Sequence, residues 1–180
     1  MLTLEELKNL NRIDIVGRPG SGKSTFALKL SEQLDLPLYH LDKIFFTDHW
    51  VKQENEIFLT LQQAILCTPR WIIDGNSLKS LEIRYSTADL VIIFILPKWK
   101  CFFRILKRRF KQRNPKIDDR ASNCPEQIHW NLIKYTWTFK KRILPLLKEL
   151  QQKYPHTNLV IINSDDQVCS LPCSQKLEKI

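Results

Sequence analysis

The octapeptide Gly17-Arg18-Pro19-Gly20-Ser21-Gly22-Lys23-Ser24 constrains this chain more than any other part of it. Its spacing is GxxxxGKS, the Walker A pattern. A β-rich run with Ile13, Ile15 and Val16 precedes it, and an amphipathic run with Phe26, Leu28, Leu30 and Leu34 follows. Strand, glycine-rich loop and helix in that order form a phosphate cradle. The loop must turn its backbone N–H groups inward around an anion, which needs positive φ angles and close approach; Gly17, Gly20 and Gly22 permit both. The helix that follows starts with unpaired N–H groups and the positive end of its dipole facing the anion. Lys23 supplies a mobile charge for β- and γ-phosphates, Ser24 a hydroxyl for Mg²⁺, and Thr25 reaches the α-phosphate. A glycine-rich turn that binds nothing is the plain alternative, and the complete match in strand–loop–helix context argues against it. The motif reads phosphate and not base, so the residues leave ATP and GTP both open.

The rest of the chain alternates strand and helix, which predicts an α/β fold with a parallel sheet covered on both faces. After the first strand and a helix over 22–34, short apolar runs predict strands at 38–41, 71–73, 90–96 and 159–162. Helical periodicity covers 54–67, 99–111 and a stretch from Pro125 to about Ile143, where Pro145 is expected to kink or break the continuation. One domain is expected over 1–165, with a flexible tail over 166–180. In such sheets ligands sit at the carboxyl ends of the strands. Asp74 ends the third strand and there can hold Mg²⁺ through a water; as part of Asp-Gly-Asn it can also be a plain turn residue. Asp42 follows the second strand and points either toward the acceptor or into a helix cap.

The formal net charge of +9 is concentrated: residues 98–150 carry 15 Lys or Arg and 4 Asp or Glu. That segment should favour polyanions. Arg104 and Arg108 share a helical face, and Arg113 and Arg120 follow; positioned arginines stabilise the charge that moves in phosphoryl transfer. A solvated basic face is the commoner fate of such a run. Trp130, Ile133 and Trp137, with Tyr135 and Phe139 nearby, read as a core stripe on a helix; interleaved with lysines they also fit weak, salt-sensitive nucleic-acid binding. The four histidines form no metal or triad pattern. Five cysteines at wide spacing read as free thiols in a reducing cytoplasm. No run is long enough for a transmembrane helix, so no membrane partner is expected.

Four segments together resemble a family: GRPGSGKST at 17–25, LDKIFF with His49-Trp50 over 41–50, WIIDGN at 71–76 and CPEQIHWNLIKYTWTFKKR at 124–142. The chain is similar to the adenylate-kinase-related P-loop proteins called DNA topology modulation proteins. The first segment is shared by very many ATPases, and the last two in this order are much more specific. The resemblance implies a three-layer P-loop fold like that of nucleoside monophosphate kinases, with five parallel strands and a short arginine-rich lid over about 104–122. It implies ATP in preference to GTP, Asp74 as the acid of the kinases' Asp-Gly motif, and Arg84 as an acceptor-phosphate arginine. The function expected is transfer of the γ-phosphoryl group of ATP to a small-molecule or nucleotide acceptor. The alternative is a nucleotide-dependent DNA-binding or regulatory protein without acceptor turnover.

Overall fold

The computed structural model describes residues 3–110 and 130–170. In chain order the elements are α1 (Leu4–Lys8), β1 (Arg12–Gly17), α2 (Lys23–Leu34), β2 (Leu38–His40), α3 (Leu41–Phe45), α4 (Asn55–Leu66), β3 (Trp71–Asp74), α5 (Leu81–Thr87), β4 (Leu90–Phe94), α6 (Lys98–Phe110), α7 (Trp130–Lys153), β5 (Asn158–Ile162) and α8 (Asp165–Ser170). The five strands form one sheet in the order β2-β3-β1-β4-β5, with every neighbouring pair parallel. β3 and β4 are buried along their whole length. That is why they read as unbroken apolar runs and not as alternations.

Alternation along the strands divides the core in two. Ile13, Ile15, Ile72, Leu90 and Ile92 pack under α1, α2 and α6. Val16, Ile73, Val91 and Ile93 pack under α3, α4, α5 and α7. At the level of the phosphate loop two charged strand residues follow the same rule. Asp74 shares the α2 face with Ile72, and Asp14 shares the other face with Ile73 and Val16.

Two local expectations are corrected. Pro145 does not break its helix: α7 runs through it for 24 residues. The proline is exposed, so water can take the carbonyl it leaves unpaired, while buried Ile143, Leu147 and Leu150 hold the helix on either side. The inward stripe of α7 is Thr136, Phe139, Ile143, Leu147 and Leu150, so Trp130 and Trp137 are not its core contacts. Trp130 is 78% exposed, and Trp137 packs edge-on against Trp99 and Phe102 of α6. After β5, residues Asp165–Ser170 form α8, which tucks Val168 against the α2-side core. The helix α5 was not legible because its buried stripe, Leu81, Arg84 and Tyr85, is interrupted by a charged residue.

A tight turn follows α3. Thr47 N–H donates to the Val51 carbonyl (2.8 Å), and an antiparallel bridge joins Phe46 to Lys52. At its tip His49 and Trp50 both take left-handed conformations, φ 58° and 62°.

Arg84 is fully buried, and its guanidinium is committed within the protein. Nε donates to both oxygens of Asp14 (3.0 and 3.1 Å), and Nη1 to Ser80 Oγ (2.9 Å). Both Nη groups also reach the Ser77 carbonyl (3.3 Å each). The structure therefore gives Arg84 a bracing role between α5 and β1, not the acceptor-phosphate contact that the resemblance implies. Burial pushes the Asp14 carboxyl up to about 6 against the pull of Arg84. Arg84→Ala leaves Asp14 buried and unpaired, and at pH 8 it should cost about 3–5 kcal/mol. An acid whose folded pKa is raised contributes stability below its unfolded pKa and loses it as pH rises through the folded one. The gap between variant and wild type should therefore narrow toward pH 5; urea unfolding at the two pH values checks both statements.

Candidate phosphate-binding site

The loop 17–22 is held by contacts to its backbone. Gly17 N–H donates to Asn76 Oδ1 (3.0 Å), Arg18 N–H to the Phe94 carbonyl (2.9 Å), and Ser21 N–H to the Arg18 carbonyl (3.0 Å). The neighbours leave no room for side chains. A Cβ on Gly17 would lie 2.5 Å from Phe94 Cβ, and one on Gly20 would lie 2.4 Å from the Cys101 carbonyl of α6. Gly20 and Gly22 have φ of 78° and 92°. Around Gly22 there is open space within 4 Å of where a Cβ would stand. No side chain caps the N-terminus of α2, so its first N–H groups face that space.

Arg18 belongs to the scaffold: it is buried, and its Nη1 donates to the Leu96 carbonyl (2.5 Å). Pro19 is partly buried, Ser21 is buried and Thr25 is exposed. Lys23 and Ser24 begin α2 and meet Asp74. Lys23 Nζ lies 2.9 Å from Asp74 Oδ1 and donates to Ser24 Oγ (3.2 Å). His40 Nδ1 lies 3.0 Å from Asp74 Oδ2. Burial alone would raise the Asp74 carboxyl. The Lys23 charge, the His40 hydrogen bond and charge, and the Ser24 hydroxyl together hold it well below the usual carboxylate range. Asp74 is thus an ionised, buried acid at the carboxyl end of β3, beside the loop.

Asp74 Oδ1 is buried beside the loop, 2.9 Å from the Lys23 ammonium. With the Ser24 hydroxyl it makes a pair of hard oxygen donors. That set fits a divalent cation such as Mg²⁺, which takes one or two protein oxygens and draws the rest from water and phosphate.

Arg104 approaches the loop from α6. Its Nη1 donates to the Ser21 carbonyl (3.4 Å) and its Nη2 to Asp165 Oδ1 (2.7 Å) at the start of α8. Arg108 stands one turn further along α6 and is exposed. Arg113 and Arg120, and most of the expected lid, lie outside the described residues. Asp42 is partly buried in the first turn of α3. Its charge helps burial to push the Tyr135 phenol up to about 12. Tyr135 in turn donates to the Asn76 carbonyl (3.1 Å). Leu41 fills the space above Gly75, where a Cβ would come within 2.4 Å of it.

The sequence reading missed His40, Asn76 and Tyr135. Asn76 was within reach, as the third residue of Asp-Gly-Asn behind a strand that ends at the loop. His40 carried a weaker signal: it ends a strand as Asp74 does, and only the register brings the two together.

No family model matches the chain, and no curated protein does. Solved structures do match. Shikimate kinase from Acinetobacter baumannii, in complex with shikimate, has a TM-score of 0.61 at 16% identity, covering 96% of this chain and 93% of that one. Shikimate kinase from Bacteroides thetaiotaomicron has a TM-score of 0.51 at 16% identity, covering 93% of this chain and 96% of that one. At that identity the likeness is one of fold, and it agrees with the strand order and the loop geometry: the chain has the three-layer P-loop fold of these kinases, a five-stranded parallel sheet with helices on both faces.

Proposed function

We propose that this protein binds Mg-ATP at residues 17–25 and transfers the γ-phosphoryl group to a small acceptor. The observation that carries the reading is the meeting of Lys23, Ser24 and Asp74 at the uncapped start of α2. In this reading the N–H groups of the loop and of the first turn of α2 hold the β-phosphate. Lys23 turns from Asp74 to the β- and γ-phosphates, and Ser24 and Asp74 hold Mg²⁺, which when bound neutralises charge on those phosphates. An acceptor oxygen bonds to the γ-phosphorus as the bond to the bridging oxygen of ADP breaks. Asp42 orients the acceptor hydroxyl and takes its proton. Among the described residues Arg104 reaches the loop, which supports it as the arginine that meets the moving charge; Arg108, Arg113 and Arg120 are the other candidates. ATP is favoured over GTP by the resemblance to adenylate-kinase-related proteins. The narrower resemblance, to DNA topology modulation proteins, rests on the four sequence segments alone.

A second reading has its own observation. Trp99 and Phe103 of α6 are 58% and 62% exposed, and Trp130 of α7 is more so. Lys98 Nζ stands 5.6 Å from the Trp99 ring and 5.1 Å from the Trp137 ring. Aromatic faces among lysines are suited to stacking on single-stranded nucleic acid, with affinity that falls steeply with salt.

The kinase reading is tested by ADP release over a panel of nucleoside monophosphates, shikimate and other small alcohols. At least one acceptor should raise release well above the slow reaction with water. Lys23→Ala should abolish Mg-ATP binding in a calorimetric titration while leaving the far-ultraviolet spectrum unchanged. Arg104→Ala should slow transfer on the order of 10³-fold if it meets the transition state. Undiminished ATP affinity in Lys23→Ala sinks the site, and no acceptor above background sinks the transfer. For the second reading, a gel shift with single-stranded DNA should show binding at low salt that is lost at physiological salt and weakened by Trp130→Ala. Tight, sequence-specific binding at physiological salt would reverse the order of the two readings.

A further inference from the structure

β2 and β3 run parallel with His40 opposite Asp74. Parallel neighbours in register send their side chains to the same face, so the sheet itself brings imidazole and carboxylate together. Both are well buried, with side-chain exposures of 10% and 2%. An ionised carboxylate can only accept, so the contact from His40 Nδ1 to Asp74 Oδ2 places a proton on Nδ1. The other oxygen, Oδ1, is the one turned to Lys23. The two oxygens are equivalent by a half-turn of the last aspartate torsion, which is broad, so what remains to be fixed is the plane of the carboxylate. The hydrogen bond from His40 holds one oxygen toward β2 and so sets the plane that leaves the other beside Lys23 and the loop.

We infer that His40 is a positioning residue of the metal–phosphate site: its Nδ1–H holds one oxygen of Asp74 and so sets the carboxylate plane that presents the other oxygen to the loop. The inference rests on the Mg-ATP reading given above and adds a residue to it. His40 touches neither phosphate nor metal in this account; it acts through Asp74. Hydrogen-bond partners that orient a metal-binding carboxylate typically contribute 10–100-fold in metal affinity.

The test is calorimetric titration of the full chain with ATP, once with Mg²⁺ and once with EDTA. The ratio of the two affinities is the readout, because general loosening of the fold weakens both arms alike. His40→Leu should lower that ratio about tenfold or more. His40→Asn, whose amide can donate from near the position of Nδ1, should keep most of it. Thermal unfolding without ligand establishes that each variant folds. Should His40→Leu not fold, His40→Gln replaces it with the same expected loss, since its amide reaches as far as Nε2 and overshoots Nδ1. A wild-type ratio in the variant without the Nδ1 donor, or equal losses in it and in His40→Asn, overturns the role of His40 and leaves the ATP site standing. Failure of the wild type to bind ATP in either arm overturns the nucleotide reading, and this inference with it.

Discussion

Backbone packing around residues 17–22 is the constraint on which the carboxyl end of the sheet depends. A loop with three glycines in six residues has few side chains of its own to pack and cannot hold itself together. Its shape is imposed from three sides: β4 through Phe94, the segment after β3 through Asn76, and α6 through the Cys101 carbonyl. Arg18, which looks like a ligand residue in the motif, is one of the braces. Each brace comes from a different part of the chain, so the loop has its shape only when the sheet is assembled.

The two buried acids near the loop show how environment assigns roles. Asp14 and Asp74 lie on adjacent strands, one residue out of register and on opposite faces. Asp14 is enclosed with the guanidinium of Arg84, and that pair closes the α5 side of the sheet. Asp74 is just as buried, but its partners are a flexible lysine, a hydroxyl and an imidazole at the open end of the strands. Asp14 is thereby committed to the scaffold, whereas Asp74 stands at the carboxyl end of its strand, where the proposed reaction would use it.

Most of the fold was legible because its signals are local. Periodicity marked all five strands and the main helices, and the glycine spacing marked the loop. What was not legible depends on contacts across the chain. The helix α5 was hidden because Arg84 breaks its apolar stripe, and the charge is tolerable there only because β1 brings Asp14 to it. The inward face of α7 was set one step off because Trp137 has another aromatic surface to pack on, provided by α6. His40 stayed silent because a histidine at a strand end gains meaning only from the residue opposite. Asp42 and the arginines beyond α6 were named from position in the fold, and their chemistry is a matter of the proposed reaction.

The left-handed pair His49–Trp50 sets up a gradient of another kind. Non-glycine residues in that conformation cost about 1–2 kcal/mol each, and opening the turn returns that energy. The hairpin that follows α3 therefore begins partway up its own opening barrier, while β3 and β4 sit at the bottom of theirs, with every residue buried. Amide protons in the turn should exchange with solvent far ahead of those in the central strands. The turn that follows Asp42 and α3 is thus held by a smaller margin than the strands that carry the loop.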